Sequence, residues 1–207
     1  MPLAVDPFIL FVGSSGHNET MNRMRILAVS GSLRAGSSNL ALLRAAAAVA
    51  PEGMELVLYE GVGTLPHFNP DLDGEGAIPP PAVQHLRGVI GEADAVVISS
   101  PEYAHGLPGS LKNALDWIVS SGELTDKPVV LLNASAAGGQ RAQASLAQTL
   151  RVMGARVLEN ASLIEPFVRK KLSPGDIVEA EVAQKLRASL DALAHAVVLA
   201  RGGLPTW

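Results

Sequence analysis

Arg25-Ile26-Leu27-Ala28-Val29 runs directly into Ser30-Gly31-Ser32-Leu33-Arg34-Ala35-Gly36-Ser37-Ser38-Asn39, and an alanine- and leucine-rich stretch follows. The order is an apolar strand, a loop of glycine and small hydroxyl residues carrying one arginine, then a helix. That arrangement gathers backbone N–H groups, the positive end of a helix dipole and several hydroxyl donors around one point, which suits phosphate or another anion. No acidic residue occurs from Ile26 to Pro51, so nothing in the segment repels an anion. Asn39 reads as the N-cap of the helix.

Outward from this segment, strand-like and helix-like stretches alternate. Strands are expected over residues 25–30, 54–59, 94–99, 128–133 and about 156–163, and helices near 39–49, 80–90, 111–120, 140–153 and 176–199. The strands are short, continuous apolar runs such as Ala95-Val96-Val97-Ile98 and Val129-Val130-Leu131-Leu132. Such runs are expected where both faces of a sheet are covered. Alternation with helices implies right-handed crossovers and a parallel sheet. The fold class is therefore α/β, doubly wound, with five parallel strands and helices on both faces.

The bulk composition narrows the function. A chain of 207 residues is most simply one domain with its own core. Its net charge of -4 gives no basic excess to drive binding to nucleic acid or an anionic membrane. It contains no cysteine, which removes disulfides, thiolate catalysis and cysteine-ligated metals, and no other metal site is read from the sequence. No apolar run approaches the roughly 20 residues that span a bilayer, so the expected compartment is the cytoplasm. Phe8-Ile9-Leu10-Phe11-Val12 leaves three readings open: a disordered extension, a small edge element, or a natural start at Met21 or Met24. Residues 1–22 are set apart as a flexible N-terminal extension to a domain over residues 23–207.

In doubly wound sheets ligands bind at the carboxyl ends of the strands, where the chain direction switches. Three loops lie there: 31–38, 100–109 and 133–139. In the first, Ser32, Ser37 and Ser38 offer hydroxyls and Arg34 a guanidinium fork. Ser37 stands where a P-loop needs lysine, and the glycine spacing is not G-x-G-x-x-G, so a terminal monophosphate is a better guest than a triphosphate or a dinucleotide. The second loop reads Ser100-Pro101-Glu102-Tyr103-Ala104-His105-Gly106-Leu107-Pro108-Gly109. Its prolines and glycines stiffen a backbone able to face a flat polar ligand, beside the rings of Tyr103 and His105. The third, Asn133-Ala134-Ser135-Ala136-Ala137-Gly138-Gly139, has the same small, amide-rich character. By contrast, residues 65–81 read as an exposed connection with an acidic patch of Asp71, Asp73 and Glu75. Over residues 111–119, Leu111, Ala114, Leu115, Ile118 and Val119 fall at helical spacing and read as core, with Trp117 a candidate for a subunit contact.

Two of these stretches carry a family resemblance. Gly31-Ser32-Leu33-Arg34-Ala35-Gly36-Ser37-Ser38-Asn39, together with Pro101-Glu102-Tyr103-Ala104-His105-Gly106-Leu107-Pro108-Gly109-Ser110-Leu111-Lys112-Asn113-Ala114-Leu115-Asp116-Trp117, resembles the NADPH-dependent FMN reductase family. Leu65-Pro66-His67-Phe68-Asn69-Pro70-Asp71-Leu72 resembles the same family's segment after its second strand. The resemblance spans about residues 24–160 and implies a flavodoxin-like fold. It implies that Ser32, Arg34, Ser37, Ser38 and Asn39 hold the phosphate of FMN. Pro101, Glu102, Tyr103, Ala104, His105 and Gly106 would line the isoalloxazine, largely through backbone groups, and Ser135, Gly138 and Gly139 would complete the pocket. The family often has Asn where this chain has Ala104. The implied activity is hydride transfer from NADPH or NADH through bound FMN to a small acceptor such as free flavin, a quinone, chromate or an azo compound. No acid–base dyad is required, because the flavin carries the chemistry, and ping-pong kinetics follow. Tyr103 and His105 are candidates to shape the substrate side. The resemblance also implies a homodimer or homotetramer. Two other classes stay open: a flavodoxin-like electron carrier, for which a charge of -4 shows no strong acidic face, and a binding module without flavin.

Overall fold

The computed structural model describes residues 8–12, 23–135, 138–166, 172–173, 177–178 and 179–202. Its main sheet contains β1 (Ile9–Val12), β2 (Met24–Ser30), β3 (Met54–Tyr59), β4 (Ala95–Ser99), β5 (Pro128–Asn133), β6 (Arg156–Val157) and β7 (Leu163–Ile164). The order is β1-β3-β2-β4-β5-β6, with β7 also paired to β5. From β3 to β6 and β7 every pairing is parallel. The five parallel positions expected from the sequence are therefore present. β2 lies between β3 and β4, so the chain reverses its winding there and leaves a crevice above the carboxyl ends of β2 and β4. A separate antiparallel pair, β8 (Leu172–Ser173) with β9 (Ile177–Val178), stands apart from this sheet.

The apolar strands are continuous because alternate residues feed two cores. Ile26, Ala28, Leu56, Leu58, Val97 and Val130 pack beneath α1 (Ser38–Ala48) and α5 (Ala180–Ala200). Leu27, Val29, Val96, Ile98, Val129 and Leu131 pack on the opposite face, with α2 (Pro81–Glu92), α3 (Gly109–Asp116) and α4 (Gln140–Val152).

Three local features depart from the sequence reading. First, of the alternatives for the leading residues, the small edge element is the one seen: Ile9–Val12 pairs antiparallel with β3 in the register Ile9 to Tyr59. The Phe8 ring lies 5.3 Å from that of His85, which stacks on Tyr59 at 5.8 Å. Second, the fifth parallel strand is split. After β6 the chain turns through Glu159–Ala161, and the Leu131 N–H, which a continuous strand would bond through its backbone, donates instead to Ser162 Oγ at 3.0 Å. Ser189 of α5 steadies this turn by donating to the Ala161 carbonyl at 2.6 Å.

Third, α3 ends at Asp116 rather than near residue 120. The Trp117 carbonyl accepts from Arg87 Nε at 3.0 Å and Nη2 at 2.6 Å, which diverts it from continuing the helix. Val119 is accordingly exposed, whereas Leu111, Ala114, Leu115 and Ile118 are core as expected. Trp117 is no subunit contact in this arrangement. It is fully buried, donates from Nε1 to the Pro66 carbonyl at 2.8 Å and meets Phe68 edge-on. The last helix starts at Ala180, and the expected start at Asp176 lies outside the described residues.

Candidate flavin site

The crevice is walled by the loops following β2, β4 and β5. The first approaches the second closely: a Cβ on Gly31 would stand 2.8 Å from Ser100 Oγ and 3.0 Å from a Leu111 methyl. Only glycine fits there without displacing a wall. Gly31 also donates from its amide to the Ser99 carbonyl at 2.8 Å, which extends the sheet by one bond into the loop.

At the start of α1 the sequence reading needs one correction. Ser37, not Asn39, is the N-cap: its Oγ accepts from the amides of Asn39 at 3.2 Å and Leu40 at 3.4 Å. Asn39 lies inside the first turn with only 4% of its surface exposed. Its Oδ1 accepts from Ser99 Oγ at 2.9 Å and from the Ala134 amide at 3.1 Å. It thus pins α1 to β4 and to the loop after β5. Ser37 and Asn39 are buried in the scaffold of the loop, while Ser32 and Ser38 are half-buried and Arg34 is exposed. Arg34 curls over its own loop, with Nη2 donating to the Gly36 carbonyl at 3.0 Å. The first turn of α1 carries no acidic residue.

The loop after β4 forms a tight turn. Tyr103 and Gly106 exchange both backbone hydrogen bonds, at 3.0 and 2.9 Å, around Ala104 (φ 48°) and His105 (φ 64°). Both central residues are left-handed, as a two-residue turn of this kind requires, and neither is glycine. The turn presents Tyr103, 55% exposed, beside the crevice. His105 also points outward, with its Nδ1 3.1 Å from Glu102 Oε1. Pro101 is buried beneath the turn.

The third wall is fixed by Asn133. Its Nδ2 donates to the Ser100 carbonyl at 2.8 Å and its Oδ1 accepts from the Ser135 amide at 2.8 Å. Ser135 Oγ in turn accepts from the Glu102 amide at 3.3 Å. Gly138 and Gly139 take φ values of 107° and 123°, and a Cβ on Gly139 would fall within 2.5 Å of the Asn133 carboxamide carbon. The glycines are needed for the chain to enter α4. Ala136 and Ala137 lie outside the described residues.

Sequence reasoning missed the ties beneath these walls. Glu102 does not simply line the crevice, because its Oε2 accepts from the Arg141 and Ala142 amides at 3.1 and 3.0 Å. The bond from the Ala142 amide and the contact with His105 hold its carboxyl below the usual glutamate range against a smaller opposing effect of burial. The acidic connection is largely exposed as expected, Asp71 and Glu75 included, but Asp73 is half-buried. Asp73 pairs with Arg87 Nη2 at 2.5 Å and accepts from Ser120 Oγ at 2.7 Å, while Asn113 holds Pro66 and Phe68 from α3. Burial pushes Asp73 upward, but the bonds from Ser120 and Arg87 outweigh it and leave its carboxyl below the ordinary value.

The donor set suits FMN: hydroxyls and a guanidinium at a carboxylate-free helix start, and one strand away an open turn whose backbone and aromatic edge can meet a flat ring. Strand order, crevice and donors define the class, a flavodoxin-like flavin domain. The chain belongs to the NADPH-dependent FMN reductase family, whose sequence profile matches residues 24–169. It is 34% identical over 175 residues to an NAD(P)H-dependent FMN reductase of Pseudomonas aeruginosa, covering 82% of this chain and 93% of that one. A quinone reductase of Escherichia coli is 31% identical over 176 residues, with the same coverage of both chains. Among solved structures, the flavoenzyme NAD(P)H:(acceptor) oxidoreductase FerB of Paracoccus denitrificans superposes with a TM-score of 0.73 at 28% identity, covering 87% of this chain and all of that one. Membership makes this protein an oxidoreductase that works with FMN and a nicotinamide donor. No helix among the described residues is long and apolar enough to cross a membrane.

Proposed function

We propose that this chain uses NADPH or NADH to reduce small, flat acceptors, quinones and free flavin first among them, over an FMN held across the β2–β4–β5 crevice. The unit that does this spans residues 23–207, with β1 docked on its edge. The observation that carries the reading is the juxtaposition of a carboxylate-free α1 start with an open, aromatic-edged turn one strand away. FMN, when bound, supplies hydride chemistry that no side chain here could.

The residues divide the remaining work. Ser32, Ser38 and Arg34 neutralise and orient the phosphate, while Ser37 and Asn39 keep the helix start in place beneath it. Pro101, Tyr103, Ala104, His105 and Gly106 form the ring's platform, and Ser135, Gly138 and Gly139 close its far side. Tyr103 and His105 stand where an acceptor enters, and their exposure leaves room for flat molecules of different outline. A homodimer or homotetramer in the cytoplasm is the setting we infer from the family.

An absorption spectrum of the purified protein, before and after adding FMN, tests the cofactor. Oxidation of NADPH and NADH against a quinone and against excess FMN tests the reaction. Flavin bands together with acceptor-dependent nicotinamide oxidation and parallel reciprocal plots are expected. Stoichiometric flavin without nicotinamide oxidation would make the protein an electron carrier. Absence of flavin even after FMN is added would leave a binding module.

A further inference from the structure

α4 opens on Gly139, which has no side chain with which to cap it. The cap comes from Glu102, 39 and 40 residues earlier, whose Oε2 receives the Arg141 and Ala142 amides. The other carboxylate oxygen meets His105 Nδ1, and the Glu102 amide donates to Ser135 Oγ. One residue therefore joins the turn after β4, the loop after β5 and the first turn of α4.

The turn it holds is under load. Ala104 and His105 are consecutive left-handed residues, each bearing a Cβ. Such a conformation costs free energy and persists only where its surroundings over-determine it. Two backbone bonds close the turn across Tyr103 and Gly106. The Glu102–His105 contact fixes the direction of its second central residue. A carboxylate at a helix N-terminus is also favoured by the dipole, so ionised Glu102 is more strongly anchored than a neutral side chain of the same shape. Both of its oxygens are engaged within the protein.

We infer that Glu102 is a positioning residue: it commits its carboxylate to α4 and His105 rather than to the flavin, and so locks the 103–106 turn, Ser135 and the first turn of α4 into one wall. The inference rests on the FMN reading above. It assigns Glu102 a role different from the ring-lining one that the family resemblance implies.

The test uses the full chain, with flavin removed and then restored, as wild type, Glu102→Ala, Glu102→Gln and His105→Ala. Amide exchange in the flavin-free protein is read at Arg141 and Ala142, and FMN affinity from quenching of flavin fluorescence. Glu102→Ala should accelerate exchange at those two amides and raise the FMN dissociation constant about tenfold, the scale of one lost helix cap. Glu102→Gln, which keeps an oxygen for the helix, should lie between it and wild type and serves as the reading if the alanine variant folds poorly. His105→Ala should leave Arg141 and Ala142 exchange unchanged.

Two results overturn the inference. Weakened FMN binding with wild-type exchange at Arg141 and Ala142 would make the carboxylate a direct flavin ligand. Accelerated exchange with wild-type FMN affinity would mean that the tie does not position the wall. A wild-type protein that takes up no FMN fails differently: it overturns the FMN reading itself, while exchange in the same samples still reports whether Glu102 caps α4.

Discussion

Asn39→Ala should be among the most damaging single substitutions at the crevice, and it should act before any cofactor binds. The side chain is nearly inaccessible, and its Oδ1 is the acceptor for two buried donors, Ser99 Oγ and the Ala134 amide. Each buried donor left without a partner costs about 1–3 kcal/mol. The Ser99 hydroxyl can rotate toward another acceptor, whereas the amide cannot, so we expect a loss of about 3 kcal/mol. With a urea dependence of about 2–3 kcal/mol per molar for a chain of this size, the unfolding midpoint should fall by roughly 1 M. The assay is equilibrium unfolding of the flavin-free protein, followed by circular dichroism. Ser99→Ala removes one donor and leaves Asn39 bonded to Ala134, so it should cost only about 1 kcal/mol. The double variant should be less destabilised than the sum by about 1 kcal/mol, because the first change removes what the second would break. A midpoint for Asn39→Ala within about 0.2 M of wild type, or strict additivity of the pair, would refute the assignment of Asn39 as a structural pin.

Arg34→Ala should weaken FMN about 10- to 100-fold, the range for a hydrogen bond to a charged group, and leave riboflavin affinity unchanged; parallel fluorescence titrations with the two flavins check it. Ala104→Asn, a residue that tolerates the left-handed region, should stabilise the protein by about 0.5–1 kcal/mol and raise the melting temperature by about 1–4 °C, and a thermal melt showing no rise would count against strain at the turn. Asp73 is held below its ordinary value when folded, so its contribution is present above about pH 4, the unfolded value, and is lost as the pH falls through the lowered folded value. Asp73→Asn should therefore flatten the acid side of the stability profile, measured as urea midpoints from pH 6 down to pH 2, while lowering stability at neutral pH.

The parallel frame was legible because its strands are buried on both faces and announce themselves as unbroken apolar runs, and because the three loops at their ends share a composition. What escaped the sequence was decided by partners far along the chain. Asn39 has the residue type of a cap, and a local rule makes it one. Its actual partners stand 60 and 95 residues away, and Ser37, two residues earlier, takes the cap. Glu102 follows a proline in a loop, and nothing nearby shows that two amides of α4 await it. The break in the fifth strand depends on a serine hydroxyl standing in for a backbone group, a substitution invisible to hydropathy. Trp117 looked surplus to an amphipathic helix because the helix ends one residue before it, for a reason supplied by Arg87.

The short strand β1 has a consequence for the behaviour of the molecule among its own copies. β3 is otherwise the outermost parallel strand, and its sequence, Met-Glu-Leu-Val-Leu-Tyr, is the kind that accepts another strand readily. Four residues of β1 cover that edge in antiparallel register, and Phe8 seals the end against His85 and Tyr59. A version of the protein beginning at Met24 would keep every group that lines the crevice, yet it would present β3 as a bare template to its neighbours. Its weakness would be colloidal rather than catalytic: activity intact in dilute solution, with aggregates growing as the concentration rises.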